Sequence, residues 1–341
     1  MTFTRVNANP IPANRRFVHG TLAAAALLFG TAALAQGKDG EYPSRPLRMI
    51  VPFAPGGAAD FVARIIQPRM SELLGQQVVV DNRAGAAGNI GTEMVARASP
   101  DGYTIKFGSV GTAAINPSVF PRFPVVPVRD LIGIGQITDV PGALVVHPSI
   151  PAKSAKDLVA YLKANPNKLN YGSPGASSAN RLEMEMFLLS TGTRMAHIPY
   201  KGGAGPAVTA LLGNEVQAMF VTFSSVVNFT KQGRLRMLGV VSPVRNPLLP
   251  DIPTMPELGY PKLTSGTWQA LFVPKGTPAP VVKKLFAVTT RTMEHPEVVS
   301  RIADGGARVV LSQSPEEFLQ FWKSENGRFA RVVKDAGIET E

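Results

Sequence analysis

What most constrains this chain is an alternation of short apolar runs with longer amphipathic stretches, joined by glycine-rich turns. Residues 47–52, 78–80 and 103–107 have the length and pattern of strands. Between them, residues 58–74 and 90–98 carry helical spacing, with Phe61, Ile65, Met70 and Leu73 expected on one buried side. Pro68 falls inside the first helix and is expected to kink or break it, because an interior proline lacks an N–H and costs about 3 kcal/mol. Strand–helix–strand–helix–strand implies parallel strands with right-handed crossovers. In such open sheets ligands sit beyond the carboxyl ends of the strands, where all three glycine-rich turns fall.

A similar pattern restarts after Asp139-Val140-Pro141. Strands are expected at 144–147, 169–171, 196–199, 218–223 and 235–241. Ser154 opens the first intervening helix with a capping-box-like signature, and Pro206 suits the first turn of a later one. Residues 243–261 are turn-rich and return the chain to the first unit, where a strand at 268–273 and helices at 280–292 and 315–335 follow. The fold class is therefore α/β with two units. Residues 36–140 and 265–341 form domain 1, and residues 141–264 form domain 2. Two crossings, near 139–141 and 263–267, imply a hinge and closure over a ligand.

The N-terminus reads as an export signal. Arg5, Arg15 and Arg16 precede an apolar run at 21–34 that ends in Ala33-Leu34-Ala35, so cleavage is expected after Ala35. The run is shorter than the ~20 apolar residues a membrane span needs. Either the general secretory or the twin-arginine route is open to it. The expected location is periplasmic. With no cysteine in 341 residues, a disulfide framework, a thiol nucleophile and a lipidated N-terminus are excluded. Cleavage removes three arginines and no acid, taking the net charge from +11 to +8. Basic residues are scattered singly, which together with export excludes nucleic acid as a partner. The charge either attracts anionic solutes or serves surface solubility.

The chemistry lies in loops that open helices. Free amides at a helix N-terminus, together with the macrodipole, suit an anion. In the first unit these loops offer Phe53, Ala54, Pro55, Gly56 and Gly57, then Ala86, Ala87 and Gly88, then Ser109 and Thr112. In the second unit Ser173, Ser177 and Ser178, and then Thr222 and Ser225, add hydroxyls. Tyr200 and Lys201 are candidates to touch ligand, with Lys201 alternatively a solvated loop charge. One such loop is an ordinary turn, but several at one sheet edge point to binding. Two clusters on facing domains suit a molecule with an anionic group at each end.

Asp60 lies in a helical first turn, where it is either a general base or a partner of the helix dipole; we favour the dipole and keep Asp60 among the loop-lining residues. Arg83 either pairs a ligand carboxylate or locks its own loop. His147 and His197 sit near strands and read as structural, and His295 as a helix end. The sequence lacks a nucleophile elbow, a Walker loop and a dinucleotide fingerprint. No His or carboxylate spacing marks a metal site, and no cofactor is expected.

These segments resemble a known family. Val51-Pro52-Phe53-Ala54-Pro55-Gly56-Gly57-Ala58-Ala59-Asp60 and Asn82-Arg83-Ala84-Gly85-Ala86-Ala87-Gly88-Asn89-Ile90-Gly91 are similar to the two signatures of the Bug family, the periplasmic substrate-binding subunits of tripartite tricarboxylate transporters. Tyr171-Gly172-Ser173, His197-Ile198-Pro199-Tyr200-Lys201-Gly202 and Leu249-Pro250-Asp251-Ile252-Pro253-Thr254 resemble later motifs. The resemblance implies a two-domain type II periplasmic-binding-protein fold with a hinge and an interdomain cleft. It also implies a carboxylate held largely by backbone amides and bridging waters, and delivery to the transporter's membrane subunits. A monomer is expected. The chain departs from the family pattern at Arg181, Ala210 and Val221, and in a loop one glycine longer after Lys201. The competing functions are a periplasmic sensor that presents ligand to a signalling partner and a hydrolase on a similar scaffold.

Overall fold

The computed structural model describes residues 1–2, 42–175, 177–200, 204–263 and 266–338. The expected signal segment with its cut after Ala35, and Lys201, lie outside them. The chain separates into two compact units, Met1–Ser44 and Arg45–Glu341, and every element below belongs to the second. No helix among the described residues is long and apolar enough to cross a membrane.

Along the chain, β1 (Leu47–Val51), α1 (Ala58–Leu74), β2 (Val78–Asn82), α2 (Asn89–Ala96) and β3 (Thr104–Ser109) come first. A π-helical turn (Gly111–Ile115) and the short α3 (Asn116–Val119) and α4 (Pro127–Asp130) lead into the ten-residue β4 (Leu131–Val140). A second sheet then begins with β5 (Gly142–Val146) and α5 (Ala155–Ala164), followed by β6 (Asn170–Ser173) and α6 (Ala179–Thr191). It continues through β7 (Ala196–Pro199), α7 (Ala204–Leu212), β8 (Ala218–Thr222), α8 (Val227–Lys231) and β9 (Arg236–Val241). The chain returns with β10 (Thr267–Pro274), α9 (Ala279–Met293), α10 (Pro296–Asp304), β11 (Arg308–Val309) and α11 (Pro315–Asp335).

The first sheet has the order β11-β4-β10-β3-β1-β2 and the second β7-β6-β8-β5-β9. In each, three neighbouring strands are parallel, β2-β1-β3 and β7-β6-β8. The expected parallel crossovers are present in both. Each trio is then extended by antiparallel strands, β10 and β4 in one and β5 and β9 in the other. Both faces of the second sheet are covered. Along β5, Leu144 and Val146 join one buried cluster while Ala143 and Val145 join another, which is the two-residue period of a strand. In the first sheet α11 turns Phe318, Trp322, Phe329 and Val333 onto Ile50, Trp268 and Phe272.

Two local expectations for α1 are corrected. The helix runs unbroken through Pro68, which is exposed, so solvent reaches the carbonyl left without its usual donor. Its buried side is Val62, Ile65, Ile66, Met70 and Leu74, while Phe61 is exposed and lies against Gly305. The strand β4, the helix α10 and the short β11 had no counterpart in the sequence reading. The serine cap expected at Ser154 forms, its Oγ accepting from the Asp157 amide, and Ser314 Oγ likewise accepts from the Glu317 amide.

Candidate functional site

Three loops of the first lobe converge because β1, β2 and β3 are adjacent and parallel. Gly88 presses on loops to either side. A Cβ at Gly88 would lie 2.5 Å from the Thr112 methyl and 3.3 Å from the Pro52 carbonyl. Its φ of +87° adds a second reason for glycine there. Asn116 ties the same region from below, donating to the Ala87 carbonyl at 3.0 Å and to Asn89 Oδ1 at 2.7 Å. Thr92 Oγ1 donates to the Gly88 carbonyl at 2.9 Å.

The first loop is held by an internal cluster. The buried Asp60 carboxylate accepts from the Gly56 amide at 2.9 Å, from Asn82 Nδ2 at 3.0 Å and from Arg64 Nε at 2.9 Å. Asn82 Nδ2 also donates to the Phe53 carbonyl at 3.1 Å. Burial raises the Asp60 pKa, but these donors outweigh it and hold the carboxyl below the usual aspartate range. Asp60 thus sets the shape of Phe53–Gly57, and its oxygens face protein donors. Arg83 pairs with Asp81 at 2.9 Å, a contact within its own segment.

The helices α1 and α2 begin at Gly57 and Gly88 with no side-chain cap, and the π-helical turn likewise has none. By contrast α5, α6 and α11 are each capped by a serine. The residues Ala54, Pro55, Gly56, Gly57, Ala86 and Ala87 are exposed and Phe53 is half-buried. The first lobe therefore presents two helix starts without side-chain caps beside exposed loop residues, where the aligned peptide dipoles favour an anion. The Gly88 and Asn89 amides bond back to the Gly85 and Ala86 carbonyls, and Ser109, Val110 and Thr112 of the third loop are buried.

In the second lobe, hydroxyls that read as ligand donors are largely engaged with the protein. Ser173 is fully buried; its Oγ donates to the Gly175 carbonyl at 2.9 Å and contacts His197 Nε2 at 2.7 Å. His197 stacks on Tyr171 at 4.8 Å, and burial together with Arg181 pushes its pKa down to about 4. It is neutral at physiological pH, so Nε2 carries the proton when the single Ser173 hydrogen goes to Gly175. Ser178 Oγ caps α6 by accepting from the Arg181 amide at 3.2 Å. Thr222 and Ser225 bond each other at 2.7 Å, and Thr112 Oγ1 closes on Ser109 at 3.2 Å. Ser177 is buried beside the first lobe, its carbonyl 3.8 Å from a Cβ built on Gly111. Tyr200 is half-buried, its ring beside Gly172 and its hydroxyl paired with Glu215.

The lobes also meet at the two crossings. A Cβ on Gly266 would overlap the Val140 carbonyl at 2.1 Å, so the outgoing and returning chains run side by side. Asp139 accepts from the Gly266 amide and from Arg308 Nη2 at 2.9 Å. From α6, Glu183 projects into space that Gly142 leaves open; a Cβ there would lie 2.5 Å from its carboxylate. Glu183 is fully buried, bonded to Asn180 Nδ2 at 2.9 Å, and burial pushes its pKa up to about 7. On the same helix Glu185 accepts from the Tyr171 hydroxyl. Sequence reasoning missed this hinge cluster, and it missed Asn82, Asn116 and Lys106 near the first-lobe loops.

Two α/β lobes, each with loops at the carboxyl ends of its parallel strands and joined by paired crossings, define a periplasmic-binding-protein architecture. The chain belongs to the TctC family, described as the tripartite tricarboxylate transporter family receptor, whose model matches residues 62–338. It is 37% identical to Protein BugT of Bordetella pertussis over 320 residues, 93% of this chain and 98% of that protein. The structure of the periplasmic binding protein BugD matches with a TM-score of 0.78 at 36% identity, covering 88% of this chain and all of BugD. Rpa4515 of R. palustris, solved with adipate, matches with a TM-score of 0.81 at 31% identity over 88% of this chain and all of that one.

Proposed function

We propose that this chain is a periplasmic receptor that captures a small carboxylate between its lobes and delivers it to the membrane subunits of a tripartite tricarboxylate transporter. The ligand class is a dicarboxylate, a tricarboxylate or an aromatic acid. The observation that carries the reading is the set of uncapped helix starts at α1, α2 and the π-helical turn, on three adjacent loops tied together through Gly88. A helix start without a side-chain cap is suited to an anion, through its peptide dipoles and first-turn amides. The engaged hydroxyls of Ser173, Ser178, Thr222 and Ser225 assign the side chains of the second lobe to shaping loops, with backbone and bridging water reaching the ligand. Phe53–Gly57 and Ala86–Gly88 then form one side of the site, and Ser173–Ser178 with Thr222–Ser225 the other. The adipate carried by one relative is a ligand of the same class.

The test is a thermal-shift screen of carboxylates followed by small-angle scattering with the best of them. A ligand at 100 times its dissociation constant stabilises by about 2.7 kcal/mol, an easily read shift. Saturation is expected to reduce the radius of gyration as the lobes close. A bound carboxylate that leaves the radius unchanged would remove closure, and the absence of any shift across the library would remove the ligand class.

A further inference from the structure

Lys106 is fully buried in β3, directly beneath the third loop. Its Nζ donates to the Thr112 carbonyl at 3.2 Å and stands 5.2 Å from the centre of the Phe272 ring. The reason that carbonyl is available is local. In the π-helical turn the Asn116 amide bonds to the Gly111 carbonyl, and the residue five beyond Thr112 is Pro117, which has no N–H. The next carbonyl, that of Ala113, is met by Trp322 Nε1 at 2.9 Å. Two side chains from the core therefore finish a turn that its own backbone leaves incomplete.

Capping a carbonyl does not require a charge. A neutral donor would do it without the penalty of taking an ammonium out of water. Among the described residues, no charged or titratable group faces Lys106. Its strand neighbours are Ile50 on β1 and Phe272 on β10, and α11 brings Trp322 against Phe272. Burial alone, with no carboxylate to offset it, pushes the Lys106 pKa down to about 7. The carbonyl it holds belongs to Thr112, whose methyl touches Gly88 of the second loop, one residue from Gly111 opposite Ser177. A lysine amine with no counter-charge thus lies under the place where the loops of both lobes come together.

We propose that Lys106 supplies the positive charge for a ligand carboxylate seated on these loops, and that it takes up a proton as the ligand enters. The inference rests on the carboxylate-binding reading above. The anion restores the charged form that burial disfavours, so binding and protonation reinforce each other. Affinity should fall as pH rises from 6 to 9, since the empty site then holds a neutral amine.

The test is isothermal calorimetry with adipate at pH 7.5, run in two buffers of different ionisation enthalpy. The wild-type protein is expected to take up on the order of half a proton per adipate bound, as linkage requires for a group titrating near neutrality. Lys106→Met should abolish the uptake and weaken adipate at least tenfold at pH 6.5, while melting no lower than the wild type without ligand. Lys106→Arg should also lose the uptake but bind adipate more tightly than the Met variant. Wild-type binding with no buffer dependence would overturn the proposal while leaving the carboxylate reading intact. So would a Met variant that melts lower yet binds adipate normally, since Lys106 would then serve only the turn. No heat of binding with adipate, succinate or citrate would overturn both together.

Discussion

Replacing Glu183 by Gln removes a buried carboxyl from the junction between the lobes while keeping its shape. Its surroundings are fixed on every side: Asn180 on its own helix, Gly142 on β5, Asp139 on β4, and Arg328 beside Glu325 on α11. Burial, reinforced by Asp139, outweighs Asn180 and Arg328 and lifts the Glu183 pKa from 4.5 to about 7. An acid whose pKa is higher in the native state than in the unfolded chain binds more protons when folded. Its stabilising contribution is full below pH 4.5 and is lost as pH rises through about 7. At about 1.4 kcal/mol for each pH unit of that gap, the ionised group costs roughly 3 kcal/mol at pH 8. Glu183→Gln is therefore expected to stabilise the protein by roughly 2–3 kcal/mol at pH 8 and to leave it unchanged near pH 5. Urea unfolding of both proteins at pH 5, 6, 7 and 8, with the slope checked for constancy, gives the comparison. Parallel stability profiles, or a variant less stable at pH 8, would refute the reasoning.

Two glycines of the first lobe should respond differently. Gly57 has an ordinary φ of −81° and no atom closer than 3.8 Å to a Cβ, so Gly57→Val is expected to fold normally yet weaken ligand at least tenfold, about 1.4 kcal/mol by calorimetry. Normal affinity would take that loop out of the site. Gly88→Ala meets both a positive φ and the Thr112 methyl at 2.5 Å, so a lower melting temperature should accompany the loss of affinity.

The α/β class and the helix-opening loops were legible because period-two and period-3.6 patterns alternate cleanly across 47–109, and because Ser154 and Ser314 are explicit caps. The helix α11 is Pro315–Asp335, the span its sequence predicts. The strand β4 was hidden for a packing reason. Glycine weakens a strand pattern because it carries no side chain to pack, yet Gly133 and Gly135 make room for the rings of Phe318 and Phe286. The helix is continuous through Pro68, and the proline is exposed, a fact that only the packed structure supplies. The serine- and threonine-rich loops stood out in the sequence, but their pairing with one another and with His197 depends on which strands are neighbours. Lys106 carries no motif at all. It is a single lysine in an apolar strand, and its meaning comes from Pro117 eleven residues on and from the loop above it.

Titration calorimetry of succinate against aspartate at neutral pH tests the central reading most directly. An ammonium group entering a buried site needs a carboxylate partner, because an unpaired charge out of water is costly. Behind the first loop Asp60 is already committed to Gly56, Asn82 and Arg64, Asp81 pairs with Arg48 and Arg83, and Glu183 and Glu185 face the hinge and Tyr171. A site built from uncapped helix starts above a buried lysine should therefore bind succinate more tightly than aspartate. Tighter binding of aspartate would contradict the account, since a carboxylate would then have to be free where the structure shows Asp60 engaged.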